Sequence, residues 1–230
     1  MRGRRAWIGC LVAALLAVPA TASQRILDDA SDFFVNGSNG IGIAPSEGQH
    51  QAPVGDDAAN RNSRMLVQFP MASIPDPVPQ SLLELTVDTT FVEAQPENLL
   101  DFTPPFDNPG LGDLLIQPVS DYGTPFGDDY SSTPVGPAVL LVPAGAAGPE
   151  PLVADVTAAV AYMRGVASPV VTFRIETAVE TNGDGNEQVW FIDTSEAGTD
   201  VAPALVVPEP GAALCGSAVL AALAATRRRR

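Results

Sequence analysis

The side chains with the clearest potential for chemistry lie in one six-residue segment, Asn182–Glu187. Amide and carboxylate oxygens stand at alternate positions of this segment, with glycines between them that permit tight turns. Calcium prefers oxygen ligands, and this spacing is typical of the first half of a calcium loop. The interpretation we favour is a polar hairpin turn between strands that end near Thr177 and start near Val189, with calcium binding as the alternative. The predicted calcium ligands are Asn182, Asp184, Asn186 and Glu187.

An enzyme would have few other residues to use. His50, the one histidine, lies in a polar segment without a nucleophile motif. Two cysteines, Cys10 and Cys215, exclude a disulfide scaffold and a cysteine-ligated zinc site. A glycosidase needs only two carboxylates, but this acidic chain offers too many for any pair to stand out. We therefore expect no enzymatic activity, with a secreted hydrolase as an alternative.

Carbohydrate recognition would require an exposed aromatic ring. The candidates for ligand binding are Tyr122 and Tyr130, in the proline-rich stretch 93–137, and Trp190. The neighbours of Trp190 are apolar on both faces of its predicted strand, which also favours a place in the core. Tyr162 falls on a predicted helix, and we expect it to pack beneath that helix.

The charge of the chain excludes several partners. It carries 27 acidic residues and 12 arginines, with no lysine. Seven of the arginines lie at the two ends, so residues 23–206 hold five arginines against 26 acids, a formal charge of −21. So negative a surface repels phosphate backbones, which argues against nucleic-acid binding. Divalent cations would relieve the repulsion, and calcium is the one cofactor we consider.

The N-terminal residues 1–22 have the pattern of a secretory signal peptide. Three arginines in the first five residues precede an apolar run, 6–18, that is too short to span a membrane. Ala20 and Ala22 place small residues before a predicted cleavage site at Ser23. We therefore expect a signal helix that directs the chain to the Sec export machinery.

The C-terminal residues 207–230 have three parts. A short motif, Val207, Pro208, Glu209 and Pro210, precedes 16 uncharged residues, mostly alanine, leucine and glycine. As a helix this run would be about 24 Å long, somewhat less than the roughly 30 Å thickness of a hydrocarbon core. Positive charge favours the cytoplasmic side of a membrane, so the helix should orient with its C-terminus inside. The cytoplasmic anchor is the final cluster, Arg227, Arg228, Arg229 and Arg230.

This order of motif, apolar helix and arginine cluster resembles a PEP-CTERM protein-sorting signal. The resemblance implies recognition by exosortase, a transpeptidase-like membrane enzyme that would cut near the motif. The chain would then be held transiently in the inner membrane before reaching the outer cell surface or extracellular matrix. A permanent single-span anchor is the alternative.

Residues 23–206 are predicted to form one domain of short strands. Segments 83–88 and 171–176 alternate apolar and polar residues, which indicates strands with one buried and one solvated face. Proline and glycine separate the segments. Further strands are predicted at 32–35, 65–69, 114–117, 138–142, 189–193 and 204–207. One short helix is predicted, capped by Asp155, with Val156, Val160 and Met163 on its buried side and Arg164-Gly165 at its end.

The order of these segments is similar to that of the DNRLRE-type extracellular domain. The similarity rests on Arg64–Phe69, Asp155-Val156-Thr157 opening the helix, and Pro203–Val206 at the end. It implies an antiparallel β-sandwich of jelly-roll type, related to carbohydrate-binding modules. The predicted fold is thus an all-β jelly-roll sandwich with one short helix, flanked by a signal helix and a C-terminal transmembrane helix.

The sequence therefore predicts an exported, non-enzymatic protein with a structural or adhesive role, in contact with extracellular polysaccharide. A carbohydrate-binding module with a defined glycan is the first alternative.

Overall fold

The computed structural model describes residues 23–27, 33–38, 41–46, 50–56, 61–87, 111–120, 131–144, 151–180, 183 and 188–208. The chain divides into two compact units, Arg25–Val207 and a second formed by Met1–Gln24 with Pro208–Arg230. The predicted signal helix and C-terminal transmembrane helix lie outside the described residues. Among the residues that are described, no helix is long and apolar enough to cross a membrane.

Strands dominate the described part of the chain, which contains one α-helix, α1 (Thr157–Gly165), and short 3₁₀ turns at Met71–Ser73 and Ser195–Ala197. This confirms an all-β, sandwich-like fold with a single short helix. The strands are β1 (Ser23–Leu27), β2 (Phe33–Ser38), β3 (Ile41–Ser46), β4 (Gln51–Asp56), β5 (Asn62–Pro70), β6 (Leu82–Leu85), β7 (Leu114–Val119), β8 (Val139–Val142), β9 (Leu152–Asp155), β10 (Val170–Thr177), β11 (Gln188–Asp193) and β12 (Ala204–Pro208).

The strands form two sheets. The smaller sheet has the order β1-β12-β6-β9, and the larger has the order β11-β4-β5-β10-β7-β8, with β2 adding to β5 and β3 to β2. The registers are antiparallel, as in β10, which lies between β5 and β7. Beyond the end of β6, Val87 bridges to Ile192 and the Thr86 carbonyl accepts from Asp193 N–H at 2.9 Å. Strand β11, at one edge of the larger sheet, is therefore hydrogen-bonded to the residues that follow β6 of the smaller sheet.

This topology corrects one interpretation of the segment Asn182–Glu187. The strands on either side of it, β10 and β11, are not neighbours, because β4 and β5 separate them in the sheet. The connection from β10 to β11, which contains this segment, is therefore not a hairpin turn. Gly183, the one described residue in it, has a φ of +71°, a left-handed conformation that glycine adopts without strain.

The predicted alternation holds for β6 and fails for the two central strands. Leu83, Leu85 and Val87 are buried, with half-buried residues between them. Strand β5 buries both faces, since Leu66 is fully enclosed although it lies opposite the core face. Strand β10 behaves in the same way at Thr172 and Arg174. Inner strands of this sheet thus have a second, largely polar buried face where the sequence predicted a solvated one.

The main core lies between the sheets. Phe69 of β5 and Phe173 of β10 are fully buried, and their ring centroids are 6.3 Å apart at an interplanar angle of 58°. A tilted pair at this distance is a favourable aromatic arrangement. Leu83 and Leu205 belong to the same cluster from the smaller sheet, so apolar residues of both sheets share one core.

Helix α1 forms where it was predicted. Val156, Val160 and Met163 are buried, and the last helical residue is Gly165, which confirms the predicted face and end. The predicted cap is one residue displaced, because the N-cap position is Val156. Asp155 instead accepts hydrogen bonds from the N–H and the hydroxyl of Thr157, at 3.0 and 2.6 Å.

The helix is tied to the chain that follows β5 through Arg164. Its Nη2 lies 2.6 Å from the Ile74 carbonyl oxygen and 3.3 Å from those of Met71 and Pro75. These charged hydrogen bonds hold the carbonyls of a segment that has no regular strand partner.

Replacing Arg164 by methionine should therefore lower the free energy of unfolding by about 2 kcal/mol, the range for hydrogen bonds to a charged group. Methionine keeps much of the aliphatic stem, so the lost contacts dominate. Urea denaturation of both chains measures the difference. A change below about 0.5 kcal/mol would show that the carbonyls are equally well solvated without the guanidinium.

Candidate functional site

A groove of about 260 Å³ lies between the first turns of α1 and the segment 133–139. Its lining residues are mostly proline, valine and alanine, together with Tyr162 and Asp155. Tyr162 is 51% exposed. A concave apolar surface with few polar groups at its edge is the usual form of a small-ligand site. The other lining residues are Pro118, Val135, Gly136, Pro137, Val139, Val156, Ala158 and Ala159.

Polar residues on the second face of the larger sheet hold one wall of the groove in place. The Gln117 side-chain amide donates to the Gly136 carbonyl at 2.7 Å. Arg174 Nη1 donates to the Ser132 carbonyl at 2.9 Å. The backbone N–H of Val135 also donates a hydrogen bond to the Pro118 carbonyl. The burial of these polar side chains, unexpected for a solvated face, thus serves to fix the segment that forms the wall.

An ion cluster, formed by Arg64, Arg174, Glu176 and Glu180, occupies the same face. The Nε atoms of Arg64 and Arg174 lie 3.1 and 3.0 Å from one Glu176 oxygen, Oε2. Arg174 Nη2 also donates to Glu176 Oε1 at 3.0 Å, and Arg64 Nη2 lies 2.7 Å from Glu180 Oε1. Two positive and two negative charges balance, so the cluster supports structure and offers no isolated reactive group.

The rim carboxylate of Asp155 is stabilised in its charged form. The Thr157 hydroxyl and then the Thr157 N–H lower the pKa of Asp155 below its ordinary value of 3.8, with Gln80 adding to this and slight desolvation opposing it. The same hydroxyl accepts from Ser81 N–H at 2.9 Å, which links the helix to the residue before β6. Asp155, one of the residues that line the groove, is therefore negatively charged at neutral pH.

The lowered pKa gives a pH dependence with a definite sign. Because the pKa is lower in the folded than in the unfolded state, the stabilisation by this carboxylate is present above about pH 4 and is lost as the pH falls through the lowered pKa. The difference in unfolding free energy between the wild type and Asp155→Asn should therefore shrink from pH 7 to pH 2. Urea denaturation across that range measures it, and a constant difference would contradict the assignment.

The structure describes only some of the predicted site residues. Trp190 is 5% exposed and belongs to the core cluster, where its ring has no free face for a sugar. Tyr122, Tyr130 and the predicted calcium ligands lie outside the described residues. So do Ala20 and Ala22, Glu209 and Pro210, and the arginine cluster. Ser23 is exposed at the start of β1, and Val207 and Pro208 belong to β12.

The prediction that Tyr162 packs beneath the helix is wrong, because its side chain is 51% exposed. Val160 and Met163 define the buried side of α1, and Tyr162 is two residues from the first, which is about 200° around a helix. Helical geometry alone therefore directs this ring away from the core. The groove itself could not be predicted, because its opposite wall comes from residues about 25 positions earlier in the chain.

Within the described ranges, no group of three or more His, Cys, Asp or Glu side chains is arranged to hold a metal ion. Comparison with family models finds no match, and no curated protein matches the chain.

Proposed function

We propose that this chain is an exported, non-enzymatic protein of the outer cell surface or extracellular matrix, with a structural or adhesive role. The observation that carries the proposal is the order at the C-terminus, where the last strand ends at the first proline of the Pro-Glu-Pro motif, and an apolar run and four arginines come after the motif. In this proposal residues 1–22 direct Sec export and residues 207–230 form the sorting tail that exosortase recognises. The domain between them is proposed to be a jelly-roll sandwich, as its antiparallel sheets support.

The charge distribution supports a role at a hydrated surface. Arg64 and Arg174 form ion pairs that are largely shielded from solvent, and Arg164 donates hydrogen bonds to backbone carbonyls. Arg25 forms an ion pair with Glu84 at 2.7 Å. These four arginines are therefore engaged within the domain, and because the sequence carries 26 acids between residues 23 and 206, we expect a negative surface. Such a surface stays soluble and repels anionic polymers.

Localisation in a Gram-negative host that carries exosortase tests the sorting proposal. We expect the wild-type chain outside the outer membrane, and a variant with Glu209→Ala and Pro210→Ala retained in the inner membrane. The matched control changes Glu196→Ala and Pro203→Ala, which alters the same residue types without touching the tail. Equal surface delivery of all three chains would contradict the proposal.

A second candidate function, glycan binding, is favoured by the groove at α1. A tyrosine ring can stack on the apolar face of a sugar while the Asp155 carboxylate accepts hydrogen bonds from its hydroxyls. The negative rim, with the arginines engaged elsewhere, favours neutral or amino sugars over uronic acids. Calcium, held by Asn182, Asp184, Asn186 and Glu187, is proposed as an aid to this function.

Tyr162→Ala should weaken binding to a neutral exopolysaccharide about fivefold, since an aromatic contact contributes roughly 1 kcal/mol. Tyr162→Phe keeps the ring and is the matched control, with binding expected near the wild-type value. Titration by calorimetry, with calcium and with EDTA, measures both variants and the contribution of the metal. Equal binding by all chains would place the glycan site elsewhere.

A further inference from the structure

The sorting motif begins inside the folded domain. Val207 is 0% exposed and belongs to the core cluster between the sheets, together with Leu205 two residues earlier. Both belong to β12, an inner strand with β1 on one side and β6 on the other. Its register with β6 is defined from Ala204, opposite Glu84, to Val206, opposite Leu82. The strand that carries the start of the motif is thus hydrogen-bonded and packed.

We propose that processing of the tail leaves β12 whole, with the cut on the carboxyl side of Pro208. This inference rests on the proposed sorting function, and it adds a limit that the motif alone does not set. An enzyme that cuts a peptide bond needs that stretch of chain free of its partners, and buried inner strands open rarely. Pro208 is half-buried and is the last residue of β12, and the compact unit Arg25–Val207 ends one residue before it.

The chemistry of the step is peptide-bond transfer. The acyl carbon of the retained domain passes from the backbone nitrogen of the tail to a water or amine acceptor, and the tail leaves with a new amino terminus. No oxidant or reductant is involved. If the cut lay before Val207, the retained domain would lose a core side chain and the last two residues of an inner strand.

The mature C-terminus is the direct test. The chain is collected from the surface of an exosortase-bearing host, and its C-terminal peptide is sequenced by mass spectrometry. We expect Pro208 or a later residue at the terminus. A terminus at Val207 or earlier overturns the inference while leaving the sorting function in place.

If mass spectrometry finds only the uncut tail, that result contradicts the sorting function. A second measurement then tests the inference about β12 separately. The full chain, in mild detergent, is treated briefly with proteinase K and the cuts are mapped. We expect none within residues 204–207 and cutting beyond Pro208. Native-state cuts within 204–207 at rates like those beyond Pro208 overturn the inference.

Two variants provide a matched pair for this measurement. Val207→Ala removes core contacts and should raise cutting within β12 about tenfold or more, because it favours opening of the strand. Val206→Ala makes the same chemical change at a half-buried position and should leave the rate near that of the wild type. Equal rates for the two variants would show that burial of Val207 does not protect the strand.

Discussion

Replacing Glu176 by glutamine should lower the free energy of unfolding by about 3 to 5 kcal/mol, the usual range when one partner of a buried ion pair is removed. Glu176 Oε2 lies within 3.1 Å of the Nε atoms of Arg64 and Arg174, whose side chains are only 10% and 7% exposed. Glutamine has nearly the same shape but leaves two buried positive charges without this carboxylate. Urea denaturation of the full chain, in mild detergent, measures the loss.

The exposed pair of Arg25 and Glu84 provides the control. Its nitrogen–oxygen distance is 2.7 Å, but the side chains are 41% and 24% exposed. Water and salt screen such a pair, so Glu84→Gln should change stability by about 1 kcal/mol or less. If Glu176→Gln were no worse than Glu84→Gln, the ion cluster would not support the fold. Replacing Arg64, Arg174 and Glu176 together by apolar residues should recover much of the loss.

Replacing Phe173 by alanine should lower the free energy of unfolding by about 3 to 5 kcal/mol. The ring belongs to the core that the two sheets share, so its removal leaves a cavity. Phe69→Ala should cost a similar amount. The double variant should lose less than the two single losses combined, because the rings contact one another and share one cavity. Thermal and urea unfolding of the three chains measure this coupling.

The exposed ring of Tyr162 is the matched aromatic control. Tyr162→Ala removes a side chain of similar size at a position 51% exposed, and its effect on stability should stay within about 0.5 kcal/mol. A loss of 3 kcal/mol there would show that the ring is packed in solution. A Phe173→Ala loss below 1 kcal/mol would show that the core repacks around the gap.

The alternation of apolar and polar residues along the sequence correctly predicted β6 and β10 as strands. Leu83 and Leu85 face the core as their spacing requires, and the segment around Phe173 pairs on both sides. The same rule failed for the opposite face of β10, because alternation reports polarity and cannot show whether another segment covers it. Arg174 is polar and still buried, since Glu176 and the Ser132 carbonyl take the place of water.

Four strands were missed for local reasons. In β4, Pro53 and Gly55 interrupt the pattern that favours a strand, yet antiparallel pairing with β11 forms along all six residues. Strand β9 is only four residues long and runs directly into the helix at Thr157. Strands β1 and β3 were also absent from the prediction. These segments form strands because they pair with strands that are distant in the sequence, and their own residues give little indication of that pairing.

The candidate groove shows the same limit for a site. Helical spacing could have placed Tyr162 at the surface, and Asp155 indicated where α1 begins. The opposite wall depends on hydrogen bonds from Gln117 and Arg174 to carbonyls of another segment. No motif marks such bonds, because any residue supplies a carbonyl.

The smaller sheet places the first strand of the domain beside the last one. Strand β12 also pairs with β6 at about 120 residues' separation, as at Leu205 and Leu83. Contacts between such distant residues make folding slow, because a long loop must close before they form. A partly synthesised chain lacks β12 and cannot complete this sheet. Under the export that we propose, this strand order would leave the smaller sheet incomplete until almost all of the domain has been made, which would help the chain to cross a membrane before it folds.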